Sequence, residues 1–79
     1  MIQFSSDQFF KMMKERWPSP IVARERVEDF TGGLVHRRTL ANLDSQGIGP
    51  AIRIRCGRKV GYEINSFVAW LEERCKFEN

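Results

Sequence analysis

Apolar side chains recur with a helical period near both ends of the chain and alternate with polar ones over a short stretch between them. Ser5-Ser6-Asp7 is a helix-start signal, and residues 8–17 follow it with Phe10, Met13 and Trp17 at i, i+3 and i+7 on one face. Phe9 and Met12 broaden that stripe. Pro18 and Pro20 end the helix and make residues 17–20 a stiff joint. A second helix is expected over residues 23–30, with Val27 and Phe30 inward and Arg24, Glu25, Arg26, Glu28 and Asp29 in solvent. Gly32-Gly33 ends it, since glycine takes the left-handed conformation of a helix exit. A third helix is expected over residues 37–46, with Leu40 and Leu43 as its buried edge and Gly47 as its stop.

Gly47-Ile48-Gly49-Pro50 is a turn that no helix crosses. Residues 51–55 then alternate, placing Ile52 and Ile54 on one side and Arg53 and Arg55 on the other, which predicts a half-buried strand with a basic outer face. Cys56-Gly57-Arg58 reads as a tight hairpin turn and residues 59–62 as the returning strand. A two-stranded ribbon is marginal alone, so it must lean on helices. The last helix, started near Asn65 or Ser66, carries the strongest pattern: Ile64, Phe67, Val68, Leu71 and Cys75, with Trp70 widening the stripe. The second and third helices, joined by a few residues including glycine, form a helix-turn-helix candidate.

Seventy-nine residues make one domain at most. A chain of that size buries only roughly 60–65% of its surface, too little for a deep enclosed pocket, which favours a small binding module over a self-contained enzyme. No Ser/His/Asp or Cys/His set has a suggestive spacing, the Gly47–Pro50 turn is too short to cradle a phosphate, and no carboxylate cluster suits a metal. The expectation is therefore no catalysis, no cofactor and no metal. Cys56 and Cys75 read as incidental thiols, and His36 has no ligand partner near it in sequence. No apolar run reaches the ~18 residues of a membrane span, and Met1 to Asp7 lack the pattern of a signal peptide, so a cytoplasmic protein without membrane contact is expected.

Charge changes the picture through its distribution. The overall balance is only +3, but between His36 and Lys59 six cations face a single acid, Asp44, for a local +5, while the rest of the chain carries −2. Such asymmetry is the footprint expected for a polyanion partner; a solvated basic surface without a partner is the alternative.

Helix, turn, helix, basic hairpin and closing helix follow one another in the order of a winged helix-turn-helix. Phe30-Thr31-Gly32-Gly33, Arg38-Thr39-Leu40-Ala41-Asn42-Leu43 and Gly47-Ile48-Gly49-Pro50 resemble the small winged-helix DNA-binding proteins related to phage excisionases, AlpA-type regulators and the MerR DNA-binding domain. Gly57-Arg58-Lys59-Val60-Gly61-Tyr62 resembles their wing, and Phe67-Val68-Ala69-Trp70-Leu71-Glu72 their closing helix. The likeness runs from about Pro20 to Arg74 and leaves the N-terminal arm out. It departs at His36-Arg37, where such proteins often have Ser-Pro, and at Asp44, an acid on the helix meant to face DNA.

The fold expected is mainly α with a small β-hairpin: residues 1–18 as an amphipathic helical arm, read from the apolar pattern, and residues 19–79 as the winged helix-turn-helix domain that the resemblance implies. The resemblance implies that the third helix enters a major groove of double-stranded DNA. Arg38 suits guanine and Asn42 suits adenine, with Arg37 and Thr39 on phosphate. Thr39 packing or bonding backbone within its helix is the alternative. Arg53, Arg55 and Lys59 are expected to clamp phosphates and Arg58, at the tip, to probe a minor groove. The implied role is an excisionase-like directionality factor for DNA recombination in a phage or mobile element, with an integrase or a second copy of the chain as further partner, or a transcription regulator. A protein–protein adaptor working through the apolar arm, without DNA binding, is the competing class.

Overall fold

The computed structural model describes residues 5–78; the first four residues of the expected arm and Asn79 lie outside the described residues. The elements are α1 (Ser6–Arg16), β1 (Ile21–Ala23), a 3-10 turn (Arg24–Arg26), α2 (Val27–Phe30), α3 (Arg37–Ser45), β2 (Arg53–Cys56), β3 (Lys59–Glu63) and α4 (Ile64–Arg74). The strands form one antiparallel sheet in the order β1-β3-β2. No helix of the described residues is long and apolar enough to cross a membrane.

α1 starts where the sequence signals it. Ser5 accepts the Gln8 amide at 3.1 Å while the Gln8 side chain reaches back to the Ser5 amide, a reciprocal cap. Its apolar stripe folds back onto the chain's own core: Phe10 is buried, and Trp17 stands edge-on to Phe30 while its indole N–H donates to the Ile21 carbonyl at 2.9 Å.

The expected second helix over residues 23–30 is corrected. Ile21-Val22-Ala23 is a third strand, paired with β3 at Ile21↔Glu63, Val22↔Tyr62 and Ala23↔Gly61. Only a 3-10 turn and one α-turn follow it. Val22 is fully buried, and pairing with a central strand outweighs the weak helical tendency of so short a segment. Val27 and Phe30 point inward as expected.

α3 begins at the His36 cap, whose Nδ1 accepts the Arg38 amide at 3.1 Å. It ends at Gly47, which has φ 77° and donates to the Asp44 carbonyl, with Ile48 donating to Leu43, so the last carbonyls of the helix are satisfied. The hairpin turn is Gly57-Arg58, two residues long, with positive φ at Gly57 alone.

The expected half-burial of β2 is corrected: all four of its residues are exposed. Ile52 and Ile54 are about half exposed, at 50% and 41%. Arg53 lies opposite Tyr62 and Arg55 opposite Val60, and directly opposed residues share a face; the arginines are therefore on the side of the buried Tyr62 and Val60, and Ile54 is on the other with Gly61. β2 is an edge strand whose residues are all exposed, so the alternation is real but neither of its faces is buried. α4 begins at Ile64, and its cap is Glu63 rather than Asn65 or Ser66: the Glu63 carboxylate accepts the Asn65 and Ser66 amides at 3.0 and 2.9 Å, bonds that hold its pKa below the usual range. Its stripe lands in the core as patterned, with Phe67 and Val68 almost wholly enclosed.

Candidate nucleic-acid interface

Leu40, fully buried, and Leu43, half buried, fix which side of α3 meets the core. Arg37, Arg38, Thr39 and Asn42 are all exposed as a consequence. Thr39 therefore does not pack in the core. Asp44, the acid that looked out of place on this helix, faces inward with a side chain only 4% exposed.

Asp44 is the hub of a polar node that sequence reasoning did not foresee. Arg24, in the 3-10 turn, donates from Nη2 to Asp44 Oδ2 at 2.6 Å and from Nε to the Tyr62 hydroxyl at 2.9 Å. The Tyr62 hydroxyl in turn donates to Asp44 Oδ2 at 2.5 Å. Arg53 Nη1 lies 3.6 Å from the other carboxylate oxygen. One carboxylate thus ties α3 to β1's trailing turn, to β3 and to β2. No local signal identifies this set, because Arg24, Asp44 and Tyr62 are about twenty residues apart in succession.

Burial, and then the bond to Asp44, push the Tyr62 phenol up to about 12, although Arg24 pulls the other way. Tyr62 is the chain's single tyrosine, so its ionisation can be followed by absorbance without interference from another phenol. The fold favours the neutral phenol. Its contribution is complete below the unfolded-state value near 10 and is lost as pH rises from about 10 to about 12. Alkaline titration is expected to give a phenol midpoint near 12 with stability falling over that same window; a midpoint near 10 in folded protein would refute the buried node.

The hairpin places Arg53 and Arg55 on the edge strand, Arg58 in the turn and Lys59 at the start of β3, all in solvent. Its tip and the N-terminal end of α3 border a common cleft of about 390 Å³, lined by Arg24, Glu25, Arg37, Arg58, Lys59 and Val60. Not all of these cations are free. Lys59 Nζ meets Glu25 at 2.8 Å, and Arg37 Nε meets Glu28 at 2.9 Å, with His36 Nε2 3.4 Å from the same Glu28 oxygen. Lys59 lowers the pKa of Glu25, and the Arg37 bond, foremost among several, holds Glu28 at about 2. Among the described residues, the side chains of Arg38, Arg55 and Arg58 have no ion pair and no hydrogen bond.

The structure therefore brings Arg37, Arg58 and Lys59 of the expected set to one cleft and adds Arg24 and Glu25 to its lining, with Glu28 against Arg37; the sequence reading had treated these three additions only as solvated charges. Comparison with protein-family models and with curated proteins finds no match to this chain.

Proposed function

We propose that this chain is a sequence-specific double-stranded DNA-binding protein of winged helix-turn-helix type, with α3 as recognition helix and the β2–β3 hairpin as wing. It belongs in this reading with the excisionase, AlpA and MerR-like group, and acts as a recombination directionality factor or a transcription regulator without catalysis of its own. The observation that carries the reading is the convergence of two basic elements on one cleft while the only acid of the basic segment is turned into the core. Arg38 and Asn42, exposed on α3 and without a salt-bridge partner, are the base readers. Arg37 and Thr39 at the helix start, and Arg53, Arg55 and Lys59 on the hairpin, serve phosphates, with Arg58 at the tip entering a minor groove.

The test is a set of duplex titrations against salt, using a sequence selected from a random pool and a scrambled control. Arg38→Ala and Asn42→Ala should each lose about 1–3 kcal/mol of discrimination while keeping most non-specific affinity. Arg55→Ala and Arg58→Ala should weaken binding to both duplexes and lower the salt slope by roughly 0.9 each. A parent protein with no salt-dependent duplex affinity would overturn the reading.

One observation favours the adaptor class as a second reading. Leu34 is 77% and Phe77 46% exposed, and both border an apolar groove with Phe9, Phe10 and Met13. An adaptor working through this groove would pass the duplex test with no affinity at any salt.

A further inference from the structure

Two carboxylates stand inside the basic surface, and each holds a cation that the DNA-binding reading assigns to phosphate. Glu25 grips Lys59 with both oxygens, at 2.9 and 2.8 Å, across a sequence separation of 34 residues, and so bridges the 3-10 turn to the hairpin. Glu28 accepts Arg37 Nε at 2.9 Å and the Arg37 backbone amide at 3.3 Å, bridging α2 to the start of α3. The two acids lie on successive turns of the same segment; Glu25 lines the cleft where α3 and the hairpin meet, and Glu28 holds Arg37, another residue of that lining. Neither was needed to build the core, since Glu25 is exposed and Glu28 reaches its partners at the surface.

We infer that Glu25 and Glu28 are built-in stand-ins for phosphate: they occupy Lys59 and Arg37 in the free protein and are displaced when a duplex binds. The inference rests on the duplex-binding reading above. A duplex presents one negative charge per ~1.7 Å of its axis, a far denser field than a single carboxylate, so it draws both cations away. The Glu25–Lys59 pair is exposed on both sides, and in the other pair Arg37 is exposed while Glu28 is half-buried, so both cations can be drawn off by a duplex. The displaced carboxylates then face phosphates and repel them, which lowers affinity for every duplex alike. Arg38 and Asn42 hold no acid and are untouched, so the ranking of sequences is preserved. The pairs therefore act as a counterweight to non-specific binding, and they also hold the hairpin tip and the helix start in place before DNA arrives.

Glu25→Gln and Glu28→Gln keep the acceptor oxygen and remove the charge. Each is expected to raise affinity for selected and scrambled duplexes by the same factor, about two- to fivefold at low salt. Glu72→Gln, an exposed acid on α4, makes the same change in net charge away from the cleft and should have a smaller effect. In a Lys59→Gln background the Glu25→Gln gain should persist, because the unpaired carboxylate still faces and repels phosphate; thermal melts check that each variant is folded. Glu25→Gln and Glu28→Gln binding no better than Glu72→Gln, or more weakly than the parent, would overturn the inference while leaving duplex binding intact. Absence of salt-dependent duplex binding by the parent would instead overturn the reading beneath it, and the inference with it.

Discussion

Asp44→Ala is expected to destabilise the fold by roughly 3 kcal/mol, the lower end of the range for breaking a buried ion pair. Asp44 has a 4% exposed side chain and takes bonds from Arg24 and Tyr62. Its removal leaves the Arg24 guanidinium beside a phenol with no counter-charge. Arg24 is 25% exposed, so water recovers part of its charge, which keeps the cost at the lower end. A domain of 79 residues has roughly 4–12 kcal/mol in all, so the loss is a large share of the total. Asp44→Asn, which keeps an acceptor, should cost less than Asp44→Ala. Urea unfolding with an unchanged m-value measures both. A loss under about 1 kcal/mol for Asp44→Ala would mean that the node contributes little. The consequence reaches the proposed interface, because Asp44 ties α3 to β3 through Tyr62, beside the packing of Leu40 and Leu43, and lies 3.6 Å from Arg53. Under the proposed duplex-binding reading, folded Asp44→Ala should therefore lose sequence preference before it loses general affinity.

Phe67→Ala is expected to cost about 3–5 kcal/mol and to leave much of the chain unfolded at room temperature. Phe67 is completely enclosed, and its ring lies 5.3 Å from Tyr62, 5.5 Å from Phe30 and 6.0 Å from Trp70, centroid to centroid. These three partners come from β3, α2 and α4. Truncation opens a void that small neighbouring elements cannot close without giving up their own contacts. Calorimetry or denaturant unfolding reads the loss. A cooperative transition near the parent midpoint would show that the core can collapse around the missing ring.

Much of the architecture follows from the order of residues alone. α1, α3 and α4 are legible because their signals are local: the Ser5-Ser6-Asp7 start, the Gly47 exit and apolar residues three or four apart. The hairpin is legible because Gly57-Arg58 is a turn between two alternating runs. The concentration of positive charge around α3 and the hairpin is likewise a property of the sequence.

What only the tertiary structure decided depends on residues distant in the chain. Three residues of β1 carry no readable period, and they become a strand because β3 offers them a ladder about forty positions later. The sides of β2 are settled by register with β3, and an edge strand leaves Ile52 and Ile54 in solvent, so alternation alone could not say which face was covered. Asp44 looked like an acid pointed at DNA until folding brought Arg24 and Tyr62 to it. Lys59 and Arg37 looked like free cations until Glu25 and Glu28 were found against them. Local periodicity and capping act within a turn or two of helix. Burial and charge pairing act through space, and their partners are not set until the chain has closed on itself.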